Sequence, residues 1–244
     1  MLADWEELDR RLSRSEVLDL LGEGQDMSGA NLAGISLAGL DLSGVALRQV
    51  DLTDADLTQV NLSGAALQGA NLTRACLSLA NLAAADLRQC RMERAIARET
   101  DLRHAMLLWV DLRSADLRLA NLTEADLRGA RLSNADFRLA VLSGANLSEA
   151  LLWDTNFEKA ILQDVRFQGA DMSRARCAGA IMWRADLSDA NVLNADFSDV
   201  DLRQTVITLE QLAKAGSLDG AQYQGDQGLR LRLLRGLTKG RRKD

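Results

Sequence analysis

A five-residue pattern governs most of this chain. The stretch 115–130 reads Ala-Asp-Leu-Arg-Leu-Ala-Asn-Leu-Thr-Glu-Ala-Asp-Leu-Arg-Gly-Ala, a small residue, Asp or Asn, and Leu followed by two variable positions. If the large apolar residue is called position i, it falls at every residue number ending in 2 or 7 from Met27 to Leu202. One repeat every five residues over that range gives 36 repeats without insertion or deletion. The chain must therefore repeat one short structural unit.

The pattern excludes a straight strand and an α-helix. Position i nearly always holds Leu or another large apolar residue, including all four Phe, and position i−2 is mostly Ala. Two apolar positions separated by one residue face the same side of an extended chain. A straight strand would also bury position i+2, which is mostly polar or Gly, so the chain has to turn a corner in every repeat. A five-residue period drifts around a 3.6-residue helix and makes no stripe.

These repeats resemble the A(D/N)LXX consensus of the pentapeptide-repeat family, over about 180 of the 244 residues. The resemblance implies an all-β solenoid, a right-handed quadrilateral β-helix of about nine coils with N- and C-terminal helical caps. Four repeats would make one coil, and coils stacked at about 4.8 Å would give a rod roughly 43 Å long. The absence of Pro agrees with this, because every inter-coil backbone bond needs an N–H. Gly at many i+2 positions suits tight corners.

The departures from the repeat predict four regions: an N-terminal helical cap (1–26), the β-helix (27–207), a C-terminal cap (208–224) and a basic tail (225–244). Open β-helix ends expose unpaired backbone, so caps are expected there.

Both caps contain predicted helices. In the N-terminal cap, Trp5, Leu8 and Leu12 follow helical spacing, and Ser15 is expected to cap a second piece, 16–21. In the C-terminal cap, 208–216 predicts a short capped helix.

The central repeats contain two unusual features. Ten Arg occur from 88 to 138. Arg98, Arg118 and Arg138 share one i+1 column, and Asp116 and Asp136 lie near enough to offset their positive charge. The repeat is weakest at 91–100, where Ala fills an i position and Thr an i−2 position, so we expect a local irregularity there.

No catalytic or metal-binding constellation is visible. The chain has one His, at 104, no Gly-rich phosphate loop and three Cys whose spacing suggests no metal site. Its outward Asp residues are the i−1 signature of the repeat rather than catalytic pairs. We therefore expect no enzyme activity, no cofactor and no small-molecule substrate. No run of 18 apolar residues suggests a membrane span, and the N-terminus lacks a signal pattern, so a cytoplasmic location is expected.

Large apolar residues at outward positions are the candidate functional residues. Three of the four Trp lie in the repeats, and none of them occupies a core position. Contiguous apolar patches containing Trp are typical of protein interfaces. The candidate interaction residues are Met106, Leu108, Trp109, Leu119, Leu139, Val141, Leu151, Trp153, Ile161, Ile181 and Trp183.

The leading hypothesis is a non-enzymatic interaction scaffold, a rigid rod that docks a protein partner, a multi-subunit assembly or a second copy of itself. The family resemblance adds two alternatives: a DNA-mimicking, gyrase-binding protein of the fluoroquinolone-resistance type, and a regulator or assembly factor of photosynthetic bacteria. Against DNA mimicry, the repeat region has a net charge of only −5. Nucleic acid is an unlikely partner.

The C-terminal tail has a separate set of candidates. It could be a solubilising tail, or it could contact a partner, a membrane surface or nucleic acid through its charge. Leu229, Leu233 and Leu237 would line one face of a helix. Its basic residues are Arg230, Arg232, Arg235, Lys239, Arg241, Arg242 and Lys243.

Overall fold

The computed structural model describes residues 10–223, which form a β-helix solenoid. Parallel bridges join residues 20 apart, from Arg11 with Asn31 to Asp186 with Val206, and every bridge residue occupies position i−1. We call the 20 residues between paired positions a coil. Within the described residues the pairing takes the form of single bridges rather than longer strands.

Each coil contains four repeats, and repeats 20 residues apart stack into a face. Faces A, B, C and D are those that begin at Met27, Leu32, Leu37 and Leu42 respectively. A residue on any face therefore has its vertical neighbours 20 residues before and after it.

Three backbone hydrogen bonds recur on each face. At the Leu117 repeat, Leu117 and Leu119 donate to the carbonyls of Asp136 and Arg138, at 2.8 and 3.1 Å, and Asp136 donates back to Ala115 at 2.9 Å. These bonds tie one coil to the next. Ala120 then donates to the carbonyl of Leu117 at 3.1 Å and closes a β-turn.

The corner is a turn whose third residue has a left-handed backbone. Position i+2 has φ between +54° and +75° in every repeat from Gly29 to Asp199. A type II turn requires φ > 0 there, which favours glycine. Twenty-five of these positions nevertheless hold other residues, including Trp109 and Leu119. A left-handed residue costs about 1–2 kcal/mol, and the flanking turn and inter-coil bonds hold the conformation against that cost.

Positions i and i−2 form one continuous core. Phe137 and Phe157, one coil apart, stack with ring centroids 5.2 Å apart and planes at 17°. Phe167, on the next face but one, meets Phe157 edge-on at 6.1 Å. The core therefore accepts aromatic rings in successive coils.

The irregularity expected at 91–100 is absent. Bridges and turns continue through this segment, and Ala97 and Thr100 are fully buried. The prediction was wrong because the Thr100 hydroxyl has a partner, the carbonyl of Leu77 at 2.8 Å. Thr155 donates in the same way to Leu132 at 2.9 Å.

Helix α1 spans Arg14–Gly22 and lies before the first coil. Ser13, not Ser15, is its N-cap: the Ser13 hydroxyl accepts from Glu16 N–H, and the Glu16 side chain accepts from Ser13 N–H. Glu16 at the third position makes this capping box, which Ser15 could not. Leu12 is not helical, because its N–H donates to the carbonyl of Asn31 at 2.9 Å. Trp5 and Leu8 lie outside the described residues.

Helix α2 spans Leu209–Lys214 and interrupts the last coil. Thr208 is its N-cap, as expected, and Leu212 is fully buried. Gln211 donates to the carbonyls of Leu187 and Ala190 at 2.7 and 2.9 Å, which fixes the helix on the coil beneath.

Beyond α2 the pairing resumes with a one-residue shift. Ser217 and Gln222 bridge residues 21, not 20, positions earlier, Asp196 and Asp201.

Candidate interaction surface

The corner between faces C and D carries an apolar column, which we call the corner band. Leu119 and Leu139 are exposed one above the other at position i+2 of face C. Val141, Ile161 and Ile181 continue it at position i−1 of face D and bridge one another directly. The corner band consists of Leu119, Leu139, Val141, Ile161, Ile181 and Trp183.

Exposure varies along the corner band. Ile181 is 52% exposed and Trp183 39%, whereas Val141 and Ile161 are only partly exposed. Arg184 lies over the Trp183 ring, 4.1 Å from its centroid, and is held there by two 2.6 Å hydrogen bonds to Asp164. This cation–π contact orients Trp183 on the surface.

The sequence reasoning missed Leu79, which is exposed in the same column two coils before Leu119. Counting back in steps of 20 residues from Leu119 would have found it. Glu99 separates the two, and a shallow depression of about 420 Å³ lies beside it. Its lining residues are Glu99, Thr100, Asp101, Arg103, Leu119 and Asn121.

The other candidates occupy two different faces. Met106, Leu108 and Trp109 lie on face A, and the Trp109 indole lies over Gly129, one coil further along. A Cβ placed on Gly129 would be 2.6 Å from Cδ1 of that ring. Trp109 is 60% exposed, but its indole packs against the backbone at Gly129.

Leu151 and Trp153 lie on face B, where Arg174 covers the Trp153 ring at 5.2 Å. Face B is separated from face D by two corners, so this pair and the corner band point in different directions. The structure thus divides the eleven candidates into three separate clusters. Ile96, Leu193 and Val206 are also exposed and were not predicted.

Six of the ten central arginines pair with an aspartate of their own repeat. In the sequence Asp-Leu-Arg, the guanidinium turns back on the preceding carboxylate: Arg118 donates to both oxygens of Asp116 at 2.9 Å. Such bidentate pairs fix both side chains. The expected offset of the arginine column is therefore present. Other such pairs are Arg88–Asp86, Arg103–Asp101, Arg113–Asp111, Arg128–Asp126, Arg138–Asp136 and Arg203–Asp201.

Asp116 shows the electrostatic effect most clearly. Partial burial acts to raise its pKa, but hydrogen bonds from Arg118 and from Arg98, the latter at 2.6 Å, outweigh burial and bring the pKa to about 2. The carboxylate is thus fixed as an anion and already engaged by cations.

Residues 10–223 contain no group of three or more His, Cys, Asp or Glu placed to hold a metal ion. None of the helices in that range is long and apolar enough to cross a membrane. The basic tail residues lie outside the described residues.

A sequence comparison shows the family. The model for pentapeptide repeats matches eight times between residues 23 and 204. The chain belongs to the pentapeptide-repeat family. No curated protein matches it.

Two solved structures illustrate the relationship. HetL, a pentapeptide repeat protein involved in heterocyst differentiation regulation from the cyanobacterium Nostoc sp. strain PCC 7120, is 30% identical, with 87% of this chain and 95% of HetL covered and a TM-score of 0.38. Full-length QnrB1, a plasmid-mediated fluoroquinolone resistance protein, is 16% identical, with 85% of this chain and 100% of QnrB1 covered and a TM-score of 0.62. The second likeness is one of fold alone.

Proposed function

We propose that this pentapeptide-repeat protein is a non-enzymatic scaffold that docks a protein partner through the corner band. One observation carries the proposal: exposed apolar side chains line up along a single corner at the coil spacing. In the central coils most of the neighbouring charges are engaged in Arg–Asp pairs within the rod, so the apolar column is the main surface chemistry left there for recognition.

The geometry suits a flat or extended protein partner. Val141, Ile161 and Ile181 are bridged to one another, so their spacing is fixed by the backbone. A preorganised surface loses little conformational entropy on binding. Trp183, braced by Arg184, supplies the kind of rigid aromatic anchor that dominates interface energies.

The proposal also includes the architecture of the rod and the division of the chain into regions. The 20-residue pairing supports a right-handed quadrilateral β-helix of about nine coils. The buried Val17 of α1 and Leu212 of α2 support the assignment of 1–26 and 208–224 as caps. Under this proposal 225–244 is a separate segment with its own binding role.

DNA mimicry is the weaker candidate because of the Arg–Asp pairs. A DNA mimic has to present carboxylates to a basic groove, and here Asp101, Asp111, Asp116, Asp126 and Asp136 are each bound by an arginine of the same repeat. A gyrase supercoiling assay tests this alternative: inhibition or drug protection by the purified protein would favour it over the scaffold.

The scaffold is tested by Ile161→Asp, Ile181→Asp and Trp183→Ala combined. Asp is the most typical residue at position i−1, so the variant should keep the fold. Partner recovery by affinity purification from native cells should be lost, and the affinity for the purified partner should fall about tenfold or more, because hot-spot residues each contribute about 1.4 kcal/mol or more.

Face B offers a control for the changes at Ile181 and Trp183. Leu151→Asp with Trp153→Ala changes the same residue positions, with exposures of 48% and 41% against 52% and 39% at Ile181 and Trp183. This control should retain the partner. Equal recovery with both variants would rule out the corner band as the docking surface.

A further inference from the structure

Acidic side chains without a salt bridge are common at both ends of the described rod and rare in its middle. Of the thirteen acidic residues from 86 to 164, eleven form a salt bridge, counting Glu124 with His104. From 165 to 223 only Asp201 does, and the other seven form none with a described residue. Three of the six bases of this segment are engaged elsewhere: Arg174, Arg176 and Arg184 pair with acids before residue 165. The unpaired acids are Asp171, Asp186, Asp189, Asp196, Asp199, Glu210 and Asp219.

Three exposed apolar side chains lie near these acids, two of them on face D and one at the start of face A. Ile181, Trp183 and Val206, which we call the end patch, are 52%, 39% and 53% exposed in the last two coils. Asp186, paired with Val206 in the ladder, and Asp199, at the corner before face D, flank the patch.

The inter-coil ladder is interrupted at the end patch. Among the described residues, no backbone hydrogen bond joins 180–184 to 201–203, whereas the equivalent positions one coil earlier are joined, as in Leu162 N–H to Ile181 at 2.8 Å.

The chain leaves the described structure directly above the end patch. Gln222 bridges Asp201 and accepts from Leu202 N–H at 2.9 Å, which places the exit on face D. Residues 224–244 follow, with seven basic residues, five Leu and two Asp. Twenty-one residues can span up to about 70 Å, and one coil rises about 4.8 Å, so the segment reaches the patch easily.

We propose that residues 224–244 bind back onto the end patch of their own rod as an intramolecular strap. Leucines of the strap cover Ile181, Trp183 and Val206, and its bases meet the unpaired acids around them. Attachment to the rod gives the strap an effective concentration in the millimolar range, so modest affinity suffices. Because Ile181 and Trp183 also belong to the corner band, a partner would have to displace the strap.

Limited trypsin digestion of the full chain tests the strap, because its arginines and lysines are cleavage sites. Ile181→Asn with Val206→Asn should speed cleavage within 224–244 about tenfold, since cleavage follows the population of the open state when opening and closing are fast. Asn is common at position i−1 and adds no charge. The control, Met106→Asn with Leu151→Asn, changes the same repeat position on faces A and B and should leave the rate unchanged.

A second variant acts from the strap side. Leu231→Ser, Leu233→Ser and Leu234→Ser keep every cleavage site and leave the rod untouched, and should speed cleavage to a similar extent. Protection in the unaltered protein should weaken as salt rises from 0.05 to 0.5 M, about the range over which screening removes exposed charge pairing.

Two results would overturn the strap. The first is cleavage of the end-patch variant at the rate of the unaltered protein. The second is protection that grows with protein concentration together with a dimer in light scattering, which would make the occupant a second copy. No partner enters this assay, so its failure leaves the scaffold proposal intact.

Discussion

Replacing Gly129 by Ala tests whether packing of the Trp109 indole over Gly129 stabilises the fold. Gly129 has φ +63°, and an added Cβ would lie 2.6 Å from Cδ1 and 2.8 Å from Nε1 of the Trp109 indole. The methyl group cannot coexist with the ring in this position, so the indole has to move off the backbone.

The size of the effect follows from two contributions. An L-residue at this φ costs about 1 kcal/mol relative to Gly. The indole, 60% exposed, also loses part of its remaining buried area. Losing some 40–80 Å² of apolar contact costs about 1–2 kcal/mol more. The total of about 2–3 kcal/mol should lower Tm by several degrees in a chain of this size.

Gly64 provides the matched control. It has φ +64°, and nothing lies within 4 Å of its added Cβ, so Gly64→Ala should show the backbone contribution alone. Thermal and denaturant unfolding followed by circular dichroism measure both variants, and repeating them in a Trp109→Ala background completes a double-mutant cycle. The excess at Gly129 should vanish without the indole. An equal loss of stability at the two glycines, or an excess loss at Gly129 that persists in the Trp109→Ala background, would refute a stabilising contact between the indole and Gly129.

Two further predictions concern titration. The pKa of Asp116, lowered from 3.8 to about 2, stabilises the fold above pH 3.8, and this stability is lost as pH falls toward 2; it amounts to at most about 2 kcal/mol before solvent screening. Arg118→Gln should therefore flatten the decline of the denaturation midpoint between pH 5 and 2, and an unchanged slope would contradict the pairing. A thiol reagent at pH 8 should modify only Cys76 in the native protein. Burial raises the pKa of Cys90 to about 12 and also that of Cys177. At Cys76, hydrogen bonds from neighbouring Thr and Ser outweigh burial and lower the pKa. Modification of two or three thiols without unfolding would contradict these environments.

The repeat made the solenoid and its core predictable, because positions i and i−2 alone decide what is buried. The sequence also indicated the arginine column, since residues 20 apart had to be vertical neighbours. It did not reveal that Arg118 would turn back on Asp116, a choice that depends on the side-chain geometry at the corner.

The wrong predictions concern residues whose side chains form hydrogen bonds that the repeat pattern does not show. Thr100 looked foreign to a core of Ala, yet its hydroxyl finds a carbonyl that lies within reach only once the coils are stacked. Ser15 was the expected cap of α1, and the reciprocal bonds between Ser13 and Glu16 place the cap two residues earlier. Of the candidate site, the corner band was recognised but not its extension to Leu79, and the clusters on faces A and B do not join it.

The core and the surface of this rod obey different periods. The interior needs a large apolar residue every five positions, so loss of one repeat would leave most buried positions filled by a residue of the same kind. The surface repeats every 20 residues, so the same loss would carry everything downstream of it one face around the rod. A corner band built from Leu119 to Ile181 would then be cut in two and its halves turned away from each other, while the protein remained folded. Insertion or deletion of a whole coil would therefore change the length of the rod and preserve its binding surface. Insertion or deletion of a single repeat would disrupt the binding surface with little change in the free energy of unfolding.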